Sequence, residues 1–321
     1  MFAVYASEPN AEDPLASLVI GERPEPDVPA GWVSVDVKAA SLNMHDVWTL
    51  RGVGLKPDMF PMTLGCDGAG TLADGTEVVV HSLIGDPDWR GDESLDPRRT
   101  MLTEKYQGTF ADRVVVPARN VVPKPRELSF AECAVMGTAW LTAYRMLFVQ
   151  SGLRPGQTIL VQGASGGVST ALIQLGRAAG FRVWVTGRTD VKRDLALKLG
   201  AHDVFESGAR LPERVDGVFE TVGKATWSHS LKALRPGGVL VVAGATSGAD
   251  ADADLTRVFF LQLRVIGSTM GTRDELVDLL EFVRTTGIHP QIGAEFAMAD
   301  AKAGFRSMLE GTTAGKIVFQ R

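Results

Sequence analysis

The fold of this chain is decided by the stretch Thr158-Ile-Leu-Val-Gln-Gly-Ala-Ser-Gly-Gly-Val-Ser-Thr-Ala-Leu-Ile-Gln-Leu-Gly-Arg-Ala-Ala-Gly-Phe-Arg-Val-Trp-Val-Thr-Gly-Arg188. Its pattern predicts an apolar strand over 158–162, a glycine-rich turn over 163–167, a helix over 168–179 and a second apolar strand over 181–186. Glycine suits such a turn because a side chain would hold a pyrophosphate away from the amides at the helix N-terminus. The stretch therefore predicts a βαβ unit with a phosphate-binding turn.

The glycine turn departs from the usual dinucleotide fingerprint, because small residues replace the first and last glycines over 164–169. By itself this variant does not distinguish a dinucleotide site from an ordinary glycine-rich loop. The strands on either side favour the dinucleotide site. The residues that we expect to face the phosphates are Ser165, Gly166, Gly167 and Val168.

Length and composition fit a two-domain globular protein, with 321 residues of which 45% are hydrophobic and 22% charged. A net charge of −5 without a basic cluster argues against nucleic acid and anionic membranes as partners, and favours a small-molecule ligand. Neither a signal sequence nor an apolar run of ~20 residues is present, so we expect a cytoplasmic protein. Cys66 and Cys133 are too few for a disulfide framework or a four-cysteine zinc lobe.

The chain divides into two kinds of sequence. Residues 1–122 are rich in β-branched residues, glycine and proline, which predicts an irregular, barrel-like β domain. Its loop over 85–107 is either an active-site lid or a mobile segment. From 123 onward, a helix capped by Ser129 is followed by alternating strands and helices. This alternation predicts a doubly wound parallel sheet with helices on both faces.

Ligands of such sheets lie at the carboxyl ends of the strands, where this chain has turns of small residues. Further candidate cofactor contacts at these ends are Gly187, Gly244, Ala245, Thr246, Ser268 and Thr269. The hydroxyls of Thr246 and Ser268 either bind the cofactor or cap local turns. The helix after Arg273 and the final strand over 316–319 do not extend the pattern. We therefore assign 272–321 to the first domain with 1–122, and 123–271 to the dinucleotide-binding domain.

In this order the motifs resemble the medium-chain dehydrogenase/reductase superfamily, and in particular its zinc-independent, quinone oxidoreductase-like branch. The resemblance covers essentially the whole chain and rests on the glycine turn together with the segments 43–46, 64–70, 108–112, 138–144, 199–201, 234–238 and 315–318. It implies a GroES-like irregular β-barrel domain beside the Rossmann domain. It also implies a homodimer that pairs the edge strand over 263–268 with its symmetry mate, which would cover an exposed apolar edge.

The positions that hold catalytic zinc in the alcohol dehydrogenases of that superfamily correspond here to Asn43, Cys66 and Thr138. Amide and hydroxyl groups hold zinc poorly beside thiolate and imidazole, so we expect no catalytic metal. One alternative stays open, namely an unusual site made by Cys66 with Asp67 and either His45 or His81. Cys66 is otherwise a small residue packed in a glycine-rich turn.

The residues that the resemblance places at the reaction centre are Asn43, Asp46 and Thr138. The Asn43 amide either orients a carbonyl substrate or the nicotinamide, or it forms an Asx-turn, with Asp46 capping the next short helix. His45 is either a proton relay or a structural histidine.

Four further side chains have two interpretations each. Trp48 and Trp140 are either flat walls for a planar substrate or core residues. Tyr106 is either a proton donor or an exposed loop residue. Lys316 lies near the domain junction, and we expect it to be an exposed lysine that leads into the last strand.

The end of the second Rossmann strand predicts NADP(H) rather than NAD(H). An acid there would bind the ribose diol and repel a 2′-phosphate, whereas Arg188 and Lys192 supply positive charge and Gly187 gives room. Lys192 lies where relatives keep a phosphate-binding lysine. Asp190 opposes this assignment, but we expect it to be the N-cap of the next helix.

The favoured function is a metal-independent transfer of hydride from NADPH to a quinone or an activated alkene or carbonyl lying between the domains. Asn43 and Thr138 can offer hydrogen bonds to the charge that develops on the acceptor oxygen. Two alternatives stay open. The first is a zinc-type alcohol dehydrogenase with altered ligands, and the second is an NADPH-binding redox sensor without turnover.

Overall fold

A computed structural model describes all 321 residues, which form two compact units. One unit comprises Met1–Leu141 and Gly271–Arg321, and the other comprises Thr142–Met270. The segment 123–141, which the sequence assigned to the dinucleotide-binding domain, lies in the first unit. Its residues Ala131, Cys133 and Ala134 are buried, and their helix packs against four strands of that unit. The boundary between the units therefore lies after this helix and not at the proline-rich connector, because the helix buries its apolar face in the first unit.

The first 141 residues are mainly short strands, as their β-branched residues predict. The strands are β1 (Phe2–Ala6), β2 (Leu18–Glu22), β3 (Trp32–Leu42), β4 (Met62–Thr63), β5 (Asp67–Thr71), β6 (Glu77–Val80), β7 (Leu83–Ile84), β8 (Thr100–Met101), β9 (Arg113–Pro117) and β10 (Val121–Pro123). Helix α1 (Met44–Leu50) follows β3, and α2 (Phe130–Ala134) begins after the capping box of Ser129 and Glu132. A π-helical turn, Met136–Trp140, follows α2.

The second unit alternates strands and helices, as the sequence predicts. Helix α3 (Leu141–Tyr144) and a π-helical turn (Arg145–Gln150) precede β11 (Thr158–Gln162), α4 (Gly167–Ala178), β12 (Arg182–Gly187), α5 (Asp190–Lys198), β13 (Asp203–Glu206), β14 (Val215–Glu220), α6 (Lys224–Ala233), β15 (Leu234–Val242), α7 (Leu255–Phe260) and β16 (Arg264–Gly267). The six strands form one parallel sheet in the order β13-β12-β11-β14-β15-β16. The sequence analysis did not predict α7.

The segment Gly271–Arg321 lies in the first unit. It forms α8 (Arg273–Thr286), β17 (Ile292–Ala297), α9 (Ala301–Glu310) and β18 (Lys316–Gln320). The main sheet of that unit has the order β10-β6-β5-β3-β18-β17, and β9 also pairs with β3. A three-stranded sheet, β2-β1-β4, and the β7–β8 pair complete the unit. Strand β18 therefore lies between the long strand β3 and the edge strand β17.

The loop over 85–107 has internal structure of its own. Buried Asp96 accepts the backbone N–H of Asp86 at 2.6 Å and that of Arg98 at 2.8 Å. Strand β8 of this loop pairs with β7. A carboxylate that accepts backbone donors can hold an irregular segment without a regular ladder, which explains why the sequence showed no periodicity here.

The helices of this chain are too short or too polar for any of them to span a lipid bilayer.

Candidate active site

Three neighbouring strands of the first unit bring the candidate catalytic residues together. Strand β3 pairs with β5 so that Ser41 faces Asp67, and with β18 so that Ser41 faces Val318. Asn43 follows the end of β3, Asp67 begins β5 and Lys316 begins β18. Residues far apart in sequence therefore meet at one end of the sheet.

Asp67 is the centre of this polar cluster and is fully buried. Its Oδ2 accepts hydrogen bonds from Asn43 Nδ2 and Ser41 Oγ, both at 2.8 Å. Its Oδ1 accepts one from Thr138 Oγ1 at 2.5 Å. A buried carboxylate needs such donors and a nearby cation, because removal from water penalises its charge by several kcal/mol.

Lys316 provides that cation, since its Nζ lies 3.5 Å from Asp67 Oδ2. The ammonium donates to the Leu42 carbonyl at 2.8 Å and to Asn43 Oδ1 at 2.6 Å. Lys316 is only 3% exposed, so the expectation of an exposed lysine was wrong. The physical reason is the pairing of β18 with β3, which brings the ammonium to Leu42 and Asn43 at the end of β3.

The Asn43 amide is engaged within the protein on both sides. Besides Asp67, Nδ2 donates to the Ser41 carbonyl at 3.2 Å and lies 3.5 Å from Cys66 Sγ. Because Lys316 can only donate, it fixes which end of the amide is oxygen. From the sequence, this amide was expected either to orient a substrate or the nicotinamide, or to form an Asx-turn. In the structure it orders the buried cluster, and its side chain is 8% exposed in total.

The residues at the zinc-ligand positions of the alcohol dehydrogenases do not fit a zinc ion. Burial raises the pKa of the Cys66 thiol well above its usual value, with further contributions from Asp46 and Asp67, and thiolate is the form that binds metal. Asn43 and Thr138 offer only an amide and a hydroxyl. The Lys316 ammonium next to them opposes a second cation. No group of three His, Cys, Asp or Glu side chains is arranged to hold a metal.

Asp46 is a second fully buried carboxyl group near the cluster. Its two oxygens accept the backbone N–H groups of Asn43 at 2.9 Å and Gly65 at 2.8 Å. This arrangement corrects the placement of Asp46 at a substrate-facing position. It fixes the start of α1 against the glycine turn before β5, as the helix-cap alternative proposed.

The stability of the protein is expected to depend on pH through Asp46. Burial raises the pKa of Asp46 from 3.8 to about 7, although the two backbone hydrogen bonds lower it. The folded state therefore binds this proton more tightly than the unfolded state between these values. The free energy of unfolding should fall as pH rises from about 4 to about 7, by at most ~1.4 kcal/mol per pH unit from this group.

Urea unfolding across this pH range should show that slope for the wild type and a flatter profile for Asp46→Asn, whose amide does not titrate. Identical profiles for the two proteins would contradict the assignment to Asp46.

His45 lies in the first turn of α1. Its Nε2 is buried without a partner. Burial lowers the pKa of His45, and the carboxylates of Glu104 and Asp67 oppose this effect. A histidine with unused hydrogen-bonding capacity beside a polar cluster is not explained by packing alone.

The aromatic candidates have different environments. Trp140 is fully buried, as expected if it is a core residue. Trp48 is 36% exposed, and the Arg51 guanidinium lies over its ring, 5.1 Å from the ring centroid. Tyr106 packs against Trp32 with ring centroids 5.0 Å apart. The Tyr106 ring thus lies in an aromatic pair, away from the contacts of the Asp67 cluster.

The glycine turn of the second unit fits a dinucleotide phosphate. Gly166 is the N-cap of α4, a helix of 12 residues, and presents free amides at its positive end. A Cβ built on Gly166 would meet only Ser169 Oγ, at 3.9 Å, so its outer side is open. The other predicted phosphate contacts are also at least partly exposed, namely Ser165, Gly167 and Val168.

The carboxyl ends of the later strands are likewise accessible. Gly244, Ala245, Thr246, Ser268 and Thr269 are partly or fully exposed there. The Thr246 hydroxyl donates to the Thr221 carbonyl at 3.4 Å. This contact is the one expected if Thr246 caps a local turn. The Ser268 hydroxyl is buried without a partner, and such an atom at the end of the last strand is suited to bind a ligand group.

A buried polar network behind these strand ends was not predicted from the sequence. Gln162 accepts from Thr186 Oγ1 at 2.5 Å and donates to Ser230 Oγ at 3.0 Å. Ser230 in turn donates to Glu220 Oε2 at 2.7 Å, and Glu220 Oε1 accepts the Val222 amide at 2.7 Å. In the sequence, this network is indicated by a polar residue at the end of each of three apolar strands. The network fixes the turns that border the cofactor site.

The end of β12 carries the residues expected to bind a 2′-phosphate. Arg188 is exposed and Lys192 partly exposed. The N-cap of α5 is Thr189, whose hydroxyl accepts the Lys192 amide, so the expectation that Asp190 is the cap was wrong. Asp190 instead pairs with Arg193, which offsets its negative charge. Threonine is also a preferred N-cap residue, and Thr189 lies one position before Asp190.

Both domains match known families. The sequence profile described as "Alcohol dehydrogenase GroES-like domain" matches residues 29–126, and the one described as "Zinc-binding dehydrogenase" matches 167–285. The fold and the glycine turn therefore define a two-domain dehydrogenase/reductase.

Solved structures and curated sequences narrow this class. A crystal structure of an NAD-dependent alcohol dehydrogenase shares 32% identity with a TM-score of 0.93, and the match covers 100% of both chains. Crotonyl-CoA reductase of Streptomyces avermitilis is 26% identical over 90% of this chain and 78% of its own length. Quinone oxidoreductase of Mus musculus is 26% identical over 89% of this chain and 88% of its own. The chain belongs to the medium-chain dehydrogenase/reductase superfamily, and the GroES-like and Rossmann fold prediction is confirmed.

Proposed function

We propose that this protein is an NADPH-dependent, metal-independent reductase of quinones or of activated alkenes and carbonyls. The observation that carries the proposal is the buried cluster of Asp67, Lys316, Asn43 and Thr138 at the position where zinc-dependent relatives hold their metal. The relatedness to a quinone oxidoreductase and to a crotonyl-CoA reductase supports the same reaction class.

The residue types at the zinc-ligand positions, which are an amide, a thiol and a hydroxyl, favour conjugated acceptors. The cofactor supplies the hydride, so the protein needs to bind the acceptor and stabilise the charge that develops on its oxygen. Hydrogen bonds without a metal suit enones and quinones, because their reduced forms spread negative charge by conjugation. A simple ketone concentrates that charge on a single oxygen and depends more on a strong electrophile.

The proposal is tested by following NADPH oxidation with a panel of quinones, enones, 2-alkenals and unconjugated ketones, together with metal analysis of the purified protein. Turnover of the conjugated acceptors at a metal content well below one per chain is the expected result. A preference for simple alcohols and ketones with one bound zinc would favour the zinc-type alcohol dehydrogenase. Tight NADPH binding without oxidation by any acceptor would favour the redox sensor.

The choice of NADP(H) rests on the charges at the end of β12. Arg188 is free of the ion pairs that engage Arg193, and Lys192 lies one turn along α5. Both cations are available to a 2′-phosphate, which is a strong partner for guanidinium and ammonium groups. The expectation that Gly187 gives room beside them was wrong, because Gly187 is buried and a Cβ there would lie 3.0 Å from Arg193 Cγ and 3.2 Å from Ala164 Cβ.

We expect Arg188→Ala and Lys192→Ala each to raise the NADPH Michaelis constant by about tenfold, which corresponds to ~1.4 kcal/mol. The Michaelis constant for NADH should change less than twofold, because NADH lacks the 2′-phosphate. Lys198→Ala, at the far end of α5, is the matched control and should leave both constants unchanged. Equal effects on NADPH and NADH, or no effect, would refute the assignment.

We further propose that the protein is a homodimer through β16, which lies at the edge of the Rossmann sheet. Val265 of this strand is 44% exposed, and the preceding helix α7 exposes Phe259 by 68% and Phe260 by 77%. An apolar edge strand beside two exposed phenylalanines is an association surface, because pairing with a second copy covers both.

Sedimentation velocity at micromolar concentration should show a dimer for the wild type and a monomer for the double variant Val265→Lys with Phe260→Asp. The introduced charges would have to be buried without partners in the dimer. Val277→Lys, at an exposed valine of α8, should stay dimeric. A monomeric wild type would remove this proposal.

A further inference from the structure

Two exposed carboxylates lie beside the cations that we expect to bind the 2′-phosphate of NADP(H). Asp190 lies between Arg188 and Lys192 in the chain. Glu206, at the end of β13, is the register partner of Gly187 at the end of β12. A carboxylate at this end of the second Rossmann strand binds the ribose diol of NAD(H) and repels a 2′-phosphate. Without a partner, both carboxylates would therefore oppose the binding of NADP(H).

Arg193 is the cation that approaches both of these carboxylates. Its Nη2 pairs with Asp190 Oδ1 and lies 3.9 Å from Glu206 Oε1. Its Nη1 donates to the Gly187 carbonyl at 2.7 Å. The Arg193 side chain is only 13% exposed, and its Cγ lies against Gly187. These contacts hold the guanidinium between the two carboxylates and the end of β12.

The pairing of Arg193 leaves the other two cations available to an anion. Both nearby carboxylates are oriented towards Arg193, and neither Arg188 nor Lys192 takes part in an ion pair. If Arg193 were absent, these two cations would face two uncompensated carboxylates. The attraction of the region for a phosphate would then largely cancel, because opposite charges at similar distances act with opposite sign.

We propose that Arg193 is a specificity-determining residue, which favours NADP(H) over NAD(H) by masking the carboxylates of Asp190 and Glu206 rather than by binding the phosphate itself. The inference rests on the binding of NADP(H) at the end of β12, as proposed above. The masked carboxylates are also the groups that could accept the ribose hydroxyls of NAD(H). Masking thus removes a repulsion that acts on NADP(H) and an attraction that acts on NAD(H), and both effects favour NADP(H).

Arg193→Ala should weaken this preference. We expect the dissociation constant of NADPH, measured by fluorescence without an acceptor, to rise about tenfold. The dissociation constant of NADH should stay within about twofold of the wild type or fall, because NADH has no 2′-phosphate to be repelled. Arg193→Lys keeps the positive charge and should keep the NADPH constant within about threefold. Arg182→Ala is the matched control, since its ion pairs with Asp203 and Glu213 lie near the opposite end of β12, and it should leave both constants unchanged.

The double variant Arg193→Ala with Asp190→Asn separates masking from direct contact with the phosphate. If Arg193 acts by masking, the double variant should bind NADPH within about threefold of the wild type, because the main repelling charge is then gone. A double variant as weak as Arg193→Ala would overturn the inference, since Arg193 would then bind the phosphate itself. Equal rises for NADPH and NADH in Arg193→Ala would also overturn it, because Arg193 would then only hold the end of β12. Thermal unfolding shows that each variant is folded before it is titrated.

Binding of the two cofactors is separate from the proposed reaction. Both dissociation constants are measured without an acceptor, so a wild type that reduces no acceptor would contradict the reductase function and leave the result for Arg193 standing. A wild type that binds NADH as tightly as NADPH would overturn the inference on Arg193, because there would be no preference for it to determine.

Discussion

Replacing Lys316 by methionine is expected to lower the free energy of unfolding by about 3–5 kcal/mol. The substitution keeps the volume of the side chain but removes the cation that lies 3.5 Å from Asp67, a carboxylate with no exposed surface. It also removes the donor to Asn43 Oδ1. The loss is large because an uncompensated charge then stays buried, not because the ion pair itself is strongly stabilising.

Urea unfolding would measure this effect, with Lys302→Met as the matched control on the exposed side of α9. The control should change the stability by less than about 0.5 kcal/mol. The double variant Lys316→Met with Asp67→Asn should lose less stability than the sum of the two single variants, because neither charge remains to be buried alone. Additive losses in this cycle would show that Lys316 and Asp67 do not interact.

The second large effect is expected for Asn43→Ala, which should lower turnover by about 10². Asn43 links the Lys316 ammonium to Asp67, and Asp67 orients the hydroxyl of Thr138. Without the amide these groups have to rearrange, and a displacement of about 1 Å near the reacting atoms typically costs that much in rate. Because Asn43 lies in the first unit and the glycine turn in the second, the affinity for NADPH should stay within twofold of the wild type.

Asn120→Ala is the matched control for this experiment. Asn120 is also buried in the first unit, but its amide donates only to the His81 and Leu83 carbonyls, at 2.9 and 2.7 Å. Its loss should cost stability and leave the turnover of the folded enzyme nearly unchanged. Steady-state kinetics and NADPH fluorescence on both variants make the comparison. A similar loss of turnover in the two variants would mean that Asn43 acts through general stability.

The Asp67 cluster is a closed network of buried polar side chains. The hydrogen bonds of the cluster and the Lys316 ammonium satisfy a carboxylate within a closed buried network. Such a network is costly to break at any one member, because each loss leaves another polar group unpaired. We therefore expect substitutions within it to act together rather than independently.

Local sequence patterns were sufficient to predict the Rossmann half of the fold. The strand predicted over 158–162 has the observed bounds, and the helix after the glycine turn differs by one residue at each end. The capping box of Ser129 and Glu132 is also present as predicted. These features rest on periodicity, glycine conformation and side-chain-to-backbone bonds that span only a few residues.

The tertiary structure alone decided the content of the candidate site. Lys316 and Asn43 are 273 positions apart, and their hydrogen bond exists because β18 pairs with β3. By sequence, Lys316 was indistinguishable from an exposed lysine, and Asp46 from a substrate contact. Burial and hydrogen-bond partners are properties of the packed sheet rather than of the local chain, so only the arrangement of strands could assign these residues their roles.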